Sequence, residues 1–137
     1  MSSSDFVLKV FDLSIRDCMR QPVTVSPEEP ASGLIYTMVG NDIGAVIVVE
    51  NKVPVGIVTE KDILERVILF NKNMYTTKAK DFMSKPIITI EADHMIKDAL
   101  ALMRKYQIRR LAVTEKSTLI GIVTERRLCS AFLNQVY

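Results

Sequence analysis

Two short segments of the chain carry the side chains best suited to chemistry. They are Gly56-Ile57-Val58-Thr59-Glu60-Lys61-Asp62 and Gly121-Ile122-Val123-Thr124-Glu125-Arg126-Arg127. Each runs from an apolar strand through a threonine into a charged helix start. Exposed amides and a positive dipole end at a helix N-terminus attract phosphate. The Thr59 hydroxyl can bond a phosphate or ribose oxygen. An ionised Asp62 accepts hydrogen bonds only, which suits the adjacent hydroxyls of a ribose. Thr59-Glu60-Lys61-Asp62 is equally a capping-box pattern, which needs no ligand. Both readings stand, and they compete, because an Asp62 tied to the Thr59 amide must let go to receive a sugar. In the second segment Arg127 replaces the carboxylate, and a guanidinium has no acceptor capacity.

The elements that position these residues form an internal repeat, which dictates the fold. Asp17, Met19 and Pro22 recur as Asp81, Met83 and Pro86, an offset of 83 − 19 = 64; from Met38 and Met103 onward the offset is 103 − 38 = 65. One extra residue therefore sits near His94. Each copy opens with a short apolar run, residues 23–25 and 87–90. A helix follows, with apolar positions Ala31, Leu34, Ile35 and Met38 in one copy and Ile96, Ala99, Leu100 and Met103 in the other. Both sets follow i, i+3, i+4, i+7, the buried stripe of an amphipathic helix. Two strands come next, 45–49 with 55–58 and 111–114 with 119–123. Glu50-Asn51-Lys52 and Glu115-Lys116-Ser117 connect them as hairpin turns without glycine. A last helix closes each copy, with Ile63, Leu64, Val67 and Ile68 apolar in the first and Leu128, Ala131 and Phe132 in the second.

The reading is an α+β chain of two β-α-β-β-α units, each a small sheet with helices on one face. Nearly continuous Val/Ile strands predict sheets buried on both faces, hence packing sheet to sheet about a pseudo-twofold axis. The predicted segments are a lead-in over 1–12 with Met1–Ser4 disordered, a first unit over 13–69, a polar linker over 70–80 and a second unit over 81–137.

The bulk values are ordinary for a globular chain: 137 residues, 48% hydrophobic and 25% charged. A half of this size would be marginal alone. The net charge of +2 creates no global field for nucleic acid or acidic membranes. Cys18 and Cys129 lack metal-type or redox-type spacing and read as two buried thiols, which fits a reducing cytosol. Phe6 to Leu13 is too short to span a bilayer. A cytoplasmic location without membrane partners is expected.

Asp-x-Met-x-x-Pro, the helix, the Ile-x-x-(Leu/Val) strand and Gly-Ile-Val-Thr-x-x-Asp, each in two ordered copies, resemble a tandem pair of cystathionine-β-synthase (CBS) domains, or Bateman module. The resemblance covers residues 13–134. It implies a regulatory module that binds an adenosine-containing ligand, AMP, ATP or S-adenosylmethionine, in a cleft between the units, often as a homodimer, and signals to a separate partner protein. Carried over by position, it implies that Asp62 and Thr59 meet the ribose and phosphate, that Ile57, Ile87 and Ile88 sandwich the adenine, and that Arg109 and Arg110 grip the phosphates. Read as residues, the three isoleucines are equally core strand. Consecutive strand residues point to opposite faces, so one of the two arginines is equally a solvated strand edge. The pseudo-equivalent cleft has Arg127 for Asp62 and Gly44-Ala45 for the arginines, so it is expected to be empty or to take an anion at Arg127.

His94, beside Glu91 and Asp93, reads as a loop residue at a helix start rather than a metal ligand. No nucleophile-base-orienter set and no phosphate-binding glycine loop is visible, so no catalytic residue, metal or required cofactor is expected. Two other functions stay open: a ligand-free oligomerisation scaffold, with Asp62 locked as a cap, and a nucleic-acid-binding accessory protein using Arg104, Lys105, Arg109 and Arg110. No aromatic platform accompanies those cations.

Overall fold

The computed structural model describes residues 13–136. The lead-in expected over 1–12, including Met1–Ser4 and the apolar run from Phe6, lies outside the described residues. In chain order the elements are α1 (Ile15–Cys18), β1 (Thr24–Val25), α2 (Ala31–Asn41), β2 (Ala45–Glu50), β3 (Val53–Thr59), α3 (Glu60–Ile63), α4 (Ala79–Phe82), β4 (Thr89–Glu91), α5 (Ile96–Tyr106), β5 (Arg110–Glu115), β6 (Thr118–Thr124) and α6 (Glu125–Val136). Each repeat is the expected β-α-β-β-α motif. The sheets have the orders β1-β2-β3 and β4-β5-β6, with the first pair parallel and the second antiparallel. Even the irregularities repeat, a register shift at Val48/Val49 and another at Val113/Thr114.

The hairpins are tighter than the sequence suggested, because strand pairing runs on to Glu50–Val53 and Glu115–Thr118. Two residues remain in each turn. Asn51 and Lys52 have φ of 54° and 67°, and Lys116 and Ser117 have 51° and 69°. Two consecutive positive φ values match the right-handed twist of a hairpin, and here non-glycine residues adopt them.

The predicted helix stripes face their cores. Ala31, Leu34 and Met38 are buried on α2, and Ile96, Ala99 and Met103 on α5. Beyond α3 the expectation needs correction. The helix widens over Leu64–Ile68 into π geometry, with the Leu69 amide donating to the Leu64 carbonyl at 2.9 Å. Ile63 and Val67 are buried, while Leu64 and Ile68 are half exposed. The wider turn rotates the latter two off the core. Leu128 is buried at 2% exposure, whereas the Phe132 side chain lies outside the described part. Cys18 is buried but Cys129 is exposed, so only one of the two thiols is a core residue.

The compact units of the folded chain do not follow the repeat boundary. One consists of Pro22–Ile87; the other joins Ile88–Tyr137 to Met1–Gln21, in their described parts. Each repeat's lead-in therefore serves the other repeat's sheet. In the first unit Ser84 and Ile57 exchange backbone hydrogen bonds at 2.8 and 3.1 Å. In the second, Arg20 and Ile122 do so at 2.9 and 2.9 Å. Glycine makes this contact possible. A Cβ on Gly56 would lie 2.4 Å from the Met83 sulfur, and one on Gly121 would lie 2.5 Å from the Met19 sulfur. Neither glycine has positive φ, so what each supplies is room for a methionine. The segment between the repeats also caps α2. Pro30 gives that helix no side-chain cap, and the Thr77 and Met74 carbonyls accept from the Ala31 and Ser32 amides at 2.9 Å each.

Candidate functional site

Asp62 sits at the third position of α3, and its side chain closes the helix start. Thr59 donates to Asp62 Oδ2 from its backbone N–H at 2.9 Å and from its hydroxyl at 3.1 Å. In return the Asp62 amide donates to Thr59 Oγ1 at 3.3 Å. The capping box of the sequence is therefore formed. Asp62 is 7% exposed, an unusual position for a carboxylate. Its burial is offset by donors. Besides Thr59, the Ser84 hydroxyl donates to Oδ1 at 2.9 Å, and the Arg66 guanidinium stands 3.8 Å from the same oxygen. Arg66 makes its own hydrogen bonds to the Phe82 and Met83 carbonyls at 2.9 and 3.2 Å. It thereby holds the lead-in segment against α3.

The two carboxylate oxygens thus have separate duties. Oδ2 holds the cap. Oδ1 receives a side-chain hydroxyl and retains acceptor capacity, since an ionised carboxylate offers about four lone-pair sites. Among the predicted site residues, Ile57, Thr59 and Asp62 come together in the unit that ends at Ile87. Ile57 is partly buried and is bridged to Ser84. Ile87 is partly buried next to that segment. Ile88, Arg109 and Arg110 belong to the other compact unit. Ile88 packs against that unit's core, and its carbonyl accepts from the Ala112 amide at 3.3 Å. Arg109 is 85% exposed and forms a long ion pair, its Nε 4.0 Å from Glu125 Oε2. Arg110 opens β5 opposite Thr124 and is partly buried. Sequence reasoning missed Ser84 and Arg66. The signal for Ser84 lay in the repeat, because its counterpart is Arg20 (84 − 20 = 64) and this exchange accompanies that of Asp62 for Arg127 (127 − 62 = 65).

The start of α6 keeps the backbone half of this design. The Arg127 amide donates to Thr124 Oγ1 at 3.0 Å. The carboxylate is gone. At α4 and α5 an aspartate accepts from the capping amide, Asp81 from Lys78 at 3.0 Å and Asp98 from Met95 at 2.9 Å. Asp62 does the same at α3, whereas α2, with Gly33, and α6, with Arg127, have no acid at the third helical position. Arg127 is partly buried near Cys18. Burial first, and then the Asp17 carboxylate, push the Cys18 thiol up, while the Arg127 guanidinium acts in the opposite direction.

His94 is an exposed residue before α5, with Nδ1 3.4 Å from Asp98 Oδ2. Among the described residues no group of three or more His, Cys, Asp or Glu side chains is placed to hold a metal ion, and no helix is long and apolar enough to cross a membrane. A largely apolar hollow of about 490 Å³ lies beside α2 and α3, lined by Ile35, Met38, Ile63, Leu64 and Ile68 and also by Asp42 and Glu60. It is a surface feature and not the polar constellation around Asp62.

The CBS domain family model matches residues 15–69 and again residues 79–134. The chain belongs to the CBS-domain family. A protein of Methanopyrus kandleri is 41% identical over 107 residues, 77% of this chain and 55% of its own length. The CBS pair thus spans little more than half of that relative. The CBS domain-containing protein YhcV of Bacillus subtilis is 32% identical over 80% of this chain and 79% of its own. Among solved structures, a CBS domain protein of Pyrobaculum aerophilum complexed with AMP superposes with a TM-score of 0.80 at 24% identity, covering 90% of this chain and 98% of its own. At that identity the likeness speaks for the fold.

Proposed function

We propose that this CBS pair is a regulatory module that senses an adenine nucleotide and that Asp62 receives the ribose through Oδ1. One observation carries the reading: the hydroxyl of Ser84 already occupies Oδ1 at 2.9 Å, while the cap is held by Oδ2. A ribose hydroxyl is the same kind of donor. It can replace or join Ser84 without breaking the helix start, so the competition between cap and ligand disappears. The AMP complex of the Pyrobaculum relative supports the choice of ligand class. Thr59 and Ile57 flank the acceptor within the same unit, and Ile87 ends that unit. The proposal keeps Ile87 and Ile88 as adenine contacts and Arg109 and Arg110 as phosphate ligands, following the family pattern. AMP and ATP are the leading ligands, with S-adenosylmethionine a third to test. The bound state is read by a separate protein, and a ligand acts on such a readout only through differential affinity for two states.

Tyr36, Val39, Leu69 and Phe70, all in the unit Pro22–Ile87, are 83%, 75%, 75% and 68% exposed, and this exposed apolar area supports self-association as a homodimer. The same surface, with the near-complete burial of Asp62, favours the second reading, a ligand-free oligomerisation scaffold. A thermal-shift screen separates the two, because a ligand selective for the native state raises apparent stability. Calorimetry with AMP, ADP, ATP and S-adenosylmethionine tests the first reading. Saturable binding that Asp62→Ala weakens by about tenfold or more is expected from the loss of a charged acceptor. No binding at millimolar ligand would refute it.

A further inference from the structure

The helix that carries Asp62 changes form where its repeat counterpart does not. α3 is regular for only four residues, Glu60–Ile63. Over Leu64–Ile68 it becomes a π-helix, and the Leu69 and Lys72 amides donate to the Leu64 and Val67 carbonyls, five residues back, at 2.9 Å each. In the other unit α6 is α-helical throughout Glu125–Val136. Single π turns are rare and are found frequently at functional sites. The polar side chains around this one also lack counterparts. Asp62, Arg66 and Ser84 correspond to Arg127, Ala131 (131 − 66 = 65) and Arg20. The widened turn and the three polar residues occur together in the first unit and are replaced together in the second.

Arg66 ties these parts to one another. It lies in the middle of the π turn, half exposed, next to the fully buried Val67. Its Nη1 donates to the Phe82 and Met83 carbonyls at 2.9 and 3.2 Å. Those carbonyls stand at the end of the four-residue α4, where a helix leaves acceptors unsatisfied. The next residue is Ser84, whose hydroxyl donates to Asp62 Oδ1 at 2.9 Å. The same Nη1 is 3.8 Å from that oxygen, too far for a hydrogen bond and near enough to be drawn to it. Arg66 therefore has two sets of partners: the carbonyls it now holds, and the carboxylate oxygen that Ser84 now occupies. On the same turn Leu64 and Ile68 are exposed, and both line the hollow beside α2 and α3.

We propose that Arg66 is a positioning residue through which the occupant of Asp62 Oδ1 sets the shape of that hollow. The inference rests on the reading of Asp62 as the ribose acceptor. A ribose hydroxyl that replaces Ser84 on Oδ1 frees Ser84 and the segment before it. The Phe82 and Met83 carbonyls then draw away from Nη1, and Arg66 closes on the carboxylate as a charge-assisted pair. Because the π turn carries Arg66, Leu64 and Ile68 move with it. Oδ1 is taken in one arrangement and open in the other, so the two differ in affinity for the sugar. That difference is what allows a ligand to shift one into the other. The hollow is thus the face of the first unit whose form reports on the ligand.

The test is nuclear magnetic resonance of the full chain, labelled at the Leu and Ile methyls and at the backbone amides. Adenosine is added to saturation, so that a change of affinity does not enter. The Leu64 and Ile68 methyl signals should shift together with the Thr59 amide. In Arg66→Gln the Thr59 amide should still respond, while the Leu64 and Ile68 response is lost. A residue that merely stabilised the fold would leave that response in place. Ser84→Ala opens the same oxygen without any ligand. It should move the Leu64 and Ile68 signals in the otherwise unchanged chain and not in the Arg66→Gln background. This arm needs neither a ligand nor, in its first half, the Arg66 variant. A Thr59 amide that ignores adenosine would overturn the sugar reading, and Ser84→Ala would then decide the coupling alone. Leu64 and Ile68 signals that stay still under Ser84→Ala, or under adenosine that moves Thr59, would overturn the proposal, as would shifts that persist in Arg66→Gln.

Discussion

The helix starts at Thr59-Glu60-Lys61-Asp62 and Thr124-Glu125-Arg126-Arg127 share a backbone and differ in electrical sign. In the first, a buried carboxylate gathers donors from its own strand and from the lead-in of the following repeat. In the second, the matching lead-in contributes Arg20 and the helix contributes Arg127, with only the threonine hydroxyl retained as a cap acceptor. The comparison teaches that duplication fixed the geometry while a few side chains set the chemistry. Ser84 and Asp62 form an acceptor already lent to a hydroxyl. Arg20 and Arg127 stand at the matching positions of the repeat and carry the opposite charge.

Several substitutions break or sharpen that contrast. The largest effect is expected for Asp62→Ala, which leaves the Thr59 and Ser84 donors unpaired in a buried setting. Chemical denaturation should show a loss of about 2–3 kcal/mol, and a stability equal to wild type would contradict the geometry. Gly56→Ala and Gly121→Ala should each cost about 1–3 kcal/mol in the same assay, because the new Cβ meets a methionine sulfur at 2.4 or 2.5 Å. Gly56→Ala should also reduce nucleotide binding, since the Ser84 carbonyl lies 3.2 Å from that Cβ and must shift. Arg127→Asp should act in the opposite direction. A carboxylate there completes the cap and complements the helix dipole, raising the midpoint by an amount equivalent to about 0.5–1 kcal/mol in phosphate-free buffer. Ser84→Ala removes a single hydroxyl and should change stability by less than about 1 kcal/mol. It should tighten nucleotide binding a few-fold, because the competitor at Oδ1 is gone.

The smallest effect concerns pH. Lys78 and then Lys80, through hydrogen bonds at 2.6 and 2.8 Å, hold the Glu28 carboxyl down to about 2 from its usual 4.5. A depressed folded value means that the contribution is complete above the ordinary carboxylate range and is lost as the pH falls towards 2. This cluster is exposed and screened by salt, so Glu28→Gln should flatten the acid limb of the stability curve only slightly.

Much of the fold was legible from the repeat. The stripes of α2 and α5 and the order of strands followed from periodicity, because burial of one face imposes it. The two-residue turns were less legible, since Asn51-Lys52 and Lys116-Ser117 adopt positive φ without glycine. The outward turn of Leu64 and Ile68 depends on a π-helical widening that apolar spacing does not encode. The crossing of the lead-ins was hidden for another reason. Met83 packs on Gly56 and Met19 on Gly121, contacts between segments far apart in the chain. At the candidate site, Thr59 and Asp62 were visible from their spacing. Ser84 and Arg66 act through tertiary contacts and were visible only as positions where the repeats disagree.

The most direct test of the contrast is titration of the labelled chain with adenosine, which carries the sugar and base but no phosphate. The account predicts saturable movement of the Thr59 and Asp62 amides, abolished by Asp62→Asn, with Thr124 and Arg127 still. Movement at Thr124 and Arg127 with Thr59 and Asp62 unchanged would contradict it.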